Sequence, residues 1–207
     1  MSDINNQVLK GRISDGLWRQ NVVLMSGLLI SPVAAGAVNF ENALAITLVF
    51  SIVTFFTVFV CRLISRKIVY TLRIILYALI AALFYIPAVL AIDKLAGPSM
   101  AASVGIYLPI LVVNPVILNK SETRFYLMPV KDMMPELIGY VLGFDIVCLG
   151  VGTFRDIIVN GRIGWLRLNT GFSVPALETT FGGLIMVGVL AAAARCIFNN
   201  IRNRRKI

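Results

Sequence analysis

The feature that most constrains this chain is a series of long stretches without a charged side chain, at residues 20–40, 42–61, 74–92 and 95–119. An α-helix rises 1.5 Å per residue, so about 20 apolar residues cross the roughly 30 Å hydrocarbon layer of a bilayer. Each of the four is long enough. A fifth stretch, 137–154, carries only Asp145, and a sixth, 179–201, carries only Arg195, close enough to its end for the side chain to reach the headgroups. Six membrane spans are predicted. The composition agrees: 58% hydrophobic and 14% charged residues leave too few charges to cover a water-facing surface. There is no histidine, and Cys61, Cys148 and Cys196 are scattered. This argues against a disulfide framework, a zinc site and imidazole-based acid/base catalysis.

The net charge of +9 would point to nucleic acid in a soluble protein, so the positions of the basic residues matter. With six spans both ends of the chain share one side. That side takes Lys10, Arg12, Arg19, Arg62, Arg66, Lys67, Arg73, Lys120, Arg124, Lys131, Arg195, Arg202, Arg204, Arg205 and Lys206; the other takes Lys94, Arg155, Arg162 and Arg167. Cytoplasmic loops carry the excess of Lys and Arg, which predicts cytoplasmic termini, a lipid-embedded chain and no nucleic-acid partner. Residues 1–17 read either as a short helix on the membrane surface or as a frayed tail. Lys10, Arg12 and Arg19 ahead of an apolar run resemble a secretion signal, but five further spans favour a retained first helix. Trp18 suits the inner interface, and Trp165, Leu166 and Phe172 the outer one.

Two of the spans carry a proline inside an apolar run with a shared pattern: Leu28-Leu29-Ile30-Ser31-Pro32-Val33 and Leu111-Val112-Val113-Asn114-Pro115-Val116. Pro32 and Pro115 lie 83 residues apart, dividing the chain into two groups of three spans, 20–92 and 95–201. An odd number of crossings separates them, so the halves have opposite orientation, as in an inverted repeat. Proline removes a backbone donor and leaves carbonyls that must find other partners or line a cavity. The alternative is two simple kinks in packed helices. The predicted fold is an all-α membrane domain over residues 1–207, a 3+3 inverted repeat with the first and fourth helices interrupted near the midplane.

Three stretches are similar to signatures of one family: Gly16-Leu17-Trp18-Arg19-Gln20-Asn21 followed by Ser31-Pro32, then residues 103–114 (SVGIYLPILVVN), then residues 152–161 (GTFRDIIVNG). Together they resemble the Rnf/Nqr membrane subunits. The first stretch and the cytoplasmic N-terminus favour the branch that holds the E subunit of the Rnf electron transport complex and the D subunit of the sodium-translocating NADH:quinone reductase. The resemblance implies a bacterial or archaeal plasma-membrane subunit of an electron transport complex coupled to sodium or proton movement. It implies pairing with a sister subunit, or with a second copy, and a possible flavin-carrying partner. Family members pair to hold one [2Fe-2S] cluster, each supplying two thiolates from its interrupted helices, the ligands such a cluster requires.

The chain departs from the family at both ligand positions. Ser31 stands before Pro32 where the family has Cys, and Asn114 is followed by Pro115 where the family has Asn-Cys. No cofactor is therefore expected to be bound by this chain alone. The family stretch after the fourth span is changed to Asn119-Lys120-Ser121-Glu122-Thr123-Arg124, in which Glu122 alone keeps its type. Asp145 is an ionisable group in hydrocarbon and so a candidate for an ion pathway, or for pairing with a neighbouring chain. Arg155 and Asp156 read as an ion pair or helix stop, and Glu136 and Asp145, nine residues apart, fall on roughly opposite helix sides. No catalytic residue is predicted. The alternatives to the redox subunit are a cation or small-solute transporter of the same fold, for which a homodimer is one form, and, outside the family, a vitamin-capture transporter component.

Overall fold

The computed structural model describes residues 13–65, 67–97, 100–164, 166–167 and 173–204. Lys10, Arg12, Arg66, Trp165, Phe172, Arg205, Lys206 and most of the proposed surface helix lie outside these residues. Four helices among the described residues are long and apolar enough to cross a membrane. They are α1 (Phe40–Cys61), α2 (Tyr70–Ala96), α6 (Val130–Asn160) and α7 (Thr180–Arg204). Between them lie the short helices α3 (Met100–Val104), α4 (Tyr107–Ile110) and α5 (Ser121–Thr123). The four long helices coincide with the second, third, fifth and sixth expected spans, and α6 extends beyond the expected 137–154 at both ends.

Residues 20–40 and 95–119 differ from that expectation. Neither holds one helix long enough to cross; both are assembled from short turns. The sequence supplies the physical reason. Pro32 and Pro115 lack the N–H that an uninterrupted helix needs, Gly27 takes a left-handed φ of 68°, and Asn114 is extended at φ −90° and ψ 149°.

Local chemistry sets the ends of the long helices. Asn39 caps α1, its side-chain oxygen accepting the Asn42 N–H at 2.8 Å. Pro129 starts α6, and Gly161 ends it with φ 61°, its N–H returning to the Ile157 carbonyl at 3.1 Å. A two-residue antiparallel ladder follows, pairing Arg162 with Arg167 and Ile163 with Leu166. Pro87 inside α2 and Pro135 near the start of α6 leave both helices continuous.

The core is the seam of α1 against α6, flanked by α2. Phe50 and Phe144 meet there with ring centroids 4.0 Å apart, among buried Ile46, Val49, Val53, Leu137, Tyr140 and Val151. On the outer surface of α2, exposed Leu72, Ile75, Leu79, Leu83, Ile86 and Leu90 repeat every three or four residues and form one apolar stripe suited to lipid. In a bilayer such a stripe costs nothing to expose, so close fit rather than apolar burial decides which faces turn inward.

Two glycines of α6 separate these roles. A Cβ at Gly152 would stand 2.4 Å from the Ala43 Cβ and 2.9 Å from the Asn39 carbonyl oxygen, whereas one at Gly150 would meet nothing within 4 Å. Gly152→Ala is expected to destabilise the chain by about 2 kcal/mol or more for an overpacked seam, read as a lower thermal midpoint in detergent. Gly150→Ala is expected to leave it unchanged or raise it slightly. Equal midpoints for the two variants would contradict the packing described.

Candidate functional site

The first break begins at Asn21, which is buried. Its side-chain oxygen accepts the N–H groups of Val23 and Leu24, both at 3.0 Å. Its amide nitrogen donates to the Leu17 carbonyl at 3.1 Å and across to the Gly143 carbonyl of α6 at 2.8 Å. One side chain thus caps the turn and ties it to the core. The chain then passes Leu29, a non-glycine residue at φ 57°, a conformation that costs roughly 1–2 kcal/mol. It enters a π-helical turn over Pro32–Gly36, which packs so closely on α4 that a Cβ on Gly36 would lie 3.1 Å from the Tyr107 Cβ.

A π turn that stops after five residues leaves carbonyls unpaired, and Arg155 of α6 takes them. It is fully buried. Its Nη1 donates to the carbonyls of Ala34 at 2.8 Å and Ala37 at 3.1 Å. Its Nε donates to Leu177 at 2.9 Å, and its Nη2 to Glu178 at 2.9 Å and Thr179 at 3.2 Å. The five donors of one planar guanidinium join the first break, α6 and the entry to α7. Gly183 of α7 makes room for this, since a Cβ there would lie 2.1 Å from the Ala34 oxygen and 3.0 Å from Arg155 Nη1. At the other end of the broken segment Arg195 acts similarly, donating to the carbonyls of Leu24 at 3.2 Å and Met25 at 3.0 Å.

The second break is closed by Asn114, also fully buried. The helical run ends in a 3-10 turn at Leu111–Val113, and Asn114 accepts the Ile117 N–H at 2.9 Å, capping the next turn, Val116–Lys120. Its amide nitrogen donates to the Leu111 carbonyl at 2.9 Å and to Thr54 Oγ1 of α1 at 3.0 Å. Pro115 precedes the new turn, where a missing N–H leaves no hydrogen bond unmade.

The other residues singled out in the sequence fall in different places. Ser31 is exposed beside the first break, and Pro115 is half-buried. Asp145 lies halfway along α6 and accepts a hydrogen bond from Ser51 of α1 at 2.7 Å, at neither break. Glu122 binds Arg73 of α2 through contacts of 3.0 and 2.6 Å and also accepts from the Tyr77 hydroxyl. Glu136, buried, pairs with Arg124. Arg155 and Asp156 divide their roles: Asp156 accepts from Asn160 and Arg162, at 2.8 and 3.2 Å, and from the Gly164 N–H, fixing the turn after α6. The reach of Arg155 was not legible in the sequence, because its acceptors are backbone carbonyls up to 121 residues away.

An iron–sulfur cluster needs converging thiolates. Ser31 offers a hydroxyl and Pro115 no donor at all. Cys148 is buried in the α1–α6 seam, its Sγ 4.0 Å from the Ala43 carbonyl; Cys61 is buried at the end of α1; Cys196 is exposed on α7. Among the described residues no group of three or more His, Cys, Asp or Glu side chains is placed to hold a metal ion. The donor set at the breaks does not fit such a cluster.

These features describe a protein of long apolar helices joined through capped short turns. The family model described as "Rnf-Nqr subunit, membrane protein" matches residues 9–201, and the chain belongs to this family. It is similar to a protein of Yersinia pestis (strain Pestoides F) named as the E subunit of the ion-translocating oxidoreductase complex, at 26% identity over 215 residues, covering 95% of this chain and 90% of that protein. The protein of the same name from Glaesserella parasuis serovar 5 (strain SH0165) is 26% identical over 220 residues, covering 98% and 93%.

Removing the Arg155 guanidinium would strand the buried carbonyls of Ala34 and Ala37 and take the donors from those of Leu177, Glu178 and Thr179. Arg155→Ala is expected to destabilise the chain by about 3 kcal/mol or more, given about 1–3 kcal/mol for each buried group left unpaired. Arg155→Lys is expected to recover only a minor part, since a single ammonium has three donors. Thermal unfolding in detergent checks both, and a wild-type midpoint for Arg155→Ala would refute the role given to this residue.

Proposed function

We propose that this chain is a membrane subunit of an ion-translocating oxidoreductase complex of the Rnf type, one that binds no [2Fe-2S] cluster of its own. The family membership supports the first part, along with the likeness to E-subunit proteins of such complexes over nearly their whole length. The second part rests on Ser31 and Pro115, neither of which offers a thiolate, at the positions where the resemblance implies cysteine. In this reading the two sets of short turns, at 20–40 and 95–119, are discontinuous membrane crossings, making six in all. Residues 20–92 and 95–201 are the two inverted repeats, and both ends of the chain are cytoplasmic in a bacterial plasma membrane.

The subunit then works as a scaffold. Its breaks are closed by hydrogen bonds from Asn21, Asn114, Arg155 and Arg195. Electrons take a route through partner subunits: a sister membrane subunit of the same family and, where present, a flavin-carrying protein.

Affinity purification of the tagged chain from its own host under anaerobic conditions tests both parts. Other redox subunits are expected to co-purify. Iron and acid-labile sulfide in the isolated chain are expected to stay below about 0.1 per chain, with no reduced [2Fe-2S] EPR signal. Such a signal, abolished by Cys61→Ser or Cys148→Ser, would overturn the cluster-free reading; purification without any redox partner would overturn the assignment to a complex.

A further inference from the structure

We infer that the polar face of α1, from Cys61 through Thr57, Thr54 and Ser51, is a proton path that reaches Asp145 from one membrane face only, making Asp145 a proton-binding site at mid-depth. This goes beyond the scaffold role proposed above and needs no partner subunit; only the naming of the Cys61 end as cytoplasmic rests on that reading.

Between residues 43 and 61 the polar side chains of α1 are the hydroxyls of Thr47, Ser51, Thr54 and Thr57 and, at the end, the thiol of Cys61. At 3.6 residues per turn all five fall within about 120° of one another around the helix, over a length of about 21 Å. That face points inward: Thr47, Thr54, Thr57 and Cys61 are buried and Ser51 is half-buried. Helix residues three or four apart stand roughly 5–6 Å from each other between Cβ atoms, a gap that one hydrogen-bonded water spans. Ser51 donates to Asp145 Oδ2 at 2.7 Å. Thr54 Oγ1 accepts from Asn114 Nδ2 at 3.0 Å and keeps its own proton for a further bond. Thr57 Oγ1 is enclosed without a hydrogen-bond partner, and so is Ser121 Oγ, in the residue that shares a cleft with Cys61 and Arg62 at the end of α1. An enclosed, unpaired hydroxyl costs stability, and valine has the same shape without that cost. Packing alone therefore gives no reason for threonine at position 57.

The surroundings of Asp145 call for a proton. It lies near the middle of the 31-residue α6, and Ser51 near the middle of the 22-residue α1, far from either headgroup layer. No Lys or Arg occurs in residues 42–61, 74–92, 95–119 or 137–154, so the elements packed around it bring no counter-charge. Cys148, one turn further along α6, has its Sγ 4.0 Å from the Ala43 carbonyl. Oδ1 is enclosed and has no hydrogen-bond partner. A carboxylate in such a place is expensive, and a bound proton removes the charge. A metal cation takes several oxygen ligands, whereas among the described residues Ser51 is the polar side chain in contact with Asp145. In the transfer each hydroxyl accepts a proton on its oxygen and passes its own to the next group. A proton enters at the Cys61 end, the Asp145 carboxylate becomes a carboxylic acid, and no bond to carbon changes. Beyond Ser51 the file closes, because Thr47 donates to the Leu44 carbonyl of its own helix at 2.9 Å.

The test uses the full chain in liposomes, with infrared spectra recorded on transfer from light to heavy water to follow the carbonyl stretch of a protonated carboxyl group. Such a band is expected in the wild type and is expected to be lost in Asp145→Asn. Its deuterium shift is expected to slow at least about tenfold in Thr54→Val and in Thr57→Val, equivalent to about 1.4 kcal/mol on the barrier. The wild-type rate is expected in Thr54→Ser, which keeps the hydroxyl, and in Thr47→Val, which lies beyond Asp145. Thr57→Val is also expected to hold or raise the thermal midpoint, so that its slower exchange is not a sign of misfolding. Should Thr54→Val fail to fold, Thr57→Val decides. Absence of the band would overturn the inference, as would wild-type exchange in Thr57→Val or equal slowing in Thr47→Val. None of these readings involves a partner subunit, so their failure leaves the assignment to a complex to the co-purification described above.

Discussion

The guanidinium of Arg155 is the contact on which the rest of the arrangement depends. Every interruption between the helices leaves carbonyls that a longer helix would pair, so other groups must take them. Arg155 repairs the first one by donating to the carbonyls of Ala34 and Ala37, and it reaches the residues that lead into α7 with the same plane. A lysine could not do this, because five donors in a fixed fork match five acceptors only when the acceptors are spread in a plane. The guanidinium donates to carbonyls, and Asp156, its neighbour in sequence, turns to Asn160 and Arg162 instead.

Three further side chains share this labour. Asn21 and Asn114 each cap a turn with the side-chain oxygen and donate from the nitrogen to a packed helix, α6 in one case and a hydroxyl of α1 in the other. Arg195 takes the carbonyls at the near end of the first break. Amide side chains suit this because each has both a donor and an acceptor, so a single residue closes a gap in two directions. The α1–α6 seam supplies the rigid frame, with glycine wherever backbone comes within contact of backbone, as at Gly152 and Gly183.

What the sequence disclosed follows from the range of each interaction. Long uncharged runs specify helices such as α1, α2, α6 and α7, because apolar length and backbone hydrogen bonding are local properties. Pro32 and Pro115, each after a small polar residue, marked the two stretches without one long helix, whereas Pro87 and Pro135 sit inside continuous helices. The partners of Arg155, Arg195 and Asn21 were hidden, because backbone carbonyls carry no sequence label and their identity depends on how distant segments meet. Arg155 and Asp156, read as an ion pair or helix stop, show the limit: Asp156 does serve the end of α6, but successive side chains on a helix point about 100° apart, so Arg155 faces other surroundings.

The breaks therefore do not depend on a metal for their shape. The groups that close them are Asn114, Asn21 and the two arginines, with Ser31 and Pro115 beside them. Proline at position 115 even favours the turn that follows, because it begins a helical segment where a ligand residue would need an N–H partner. The shape of both segments is maintained by backbone satisfaction, supplied by side chains that lie far from them in the sequence.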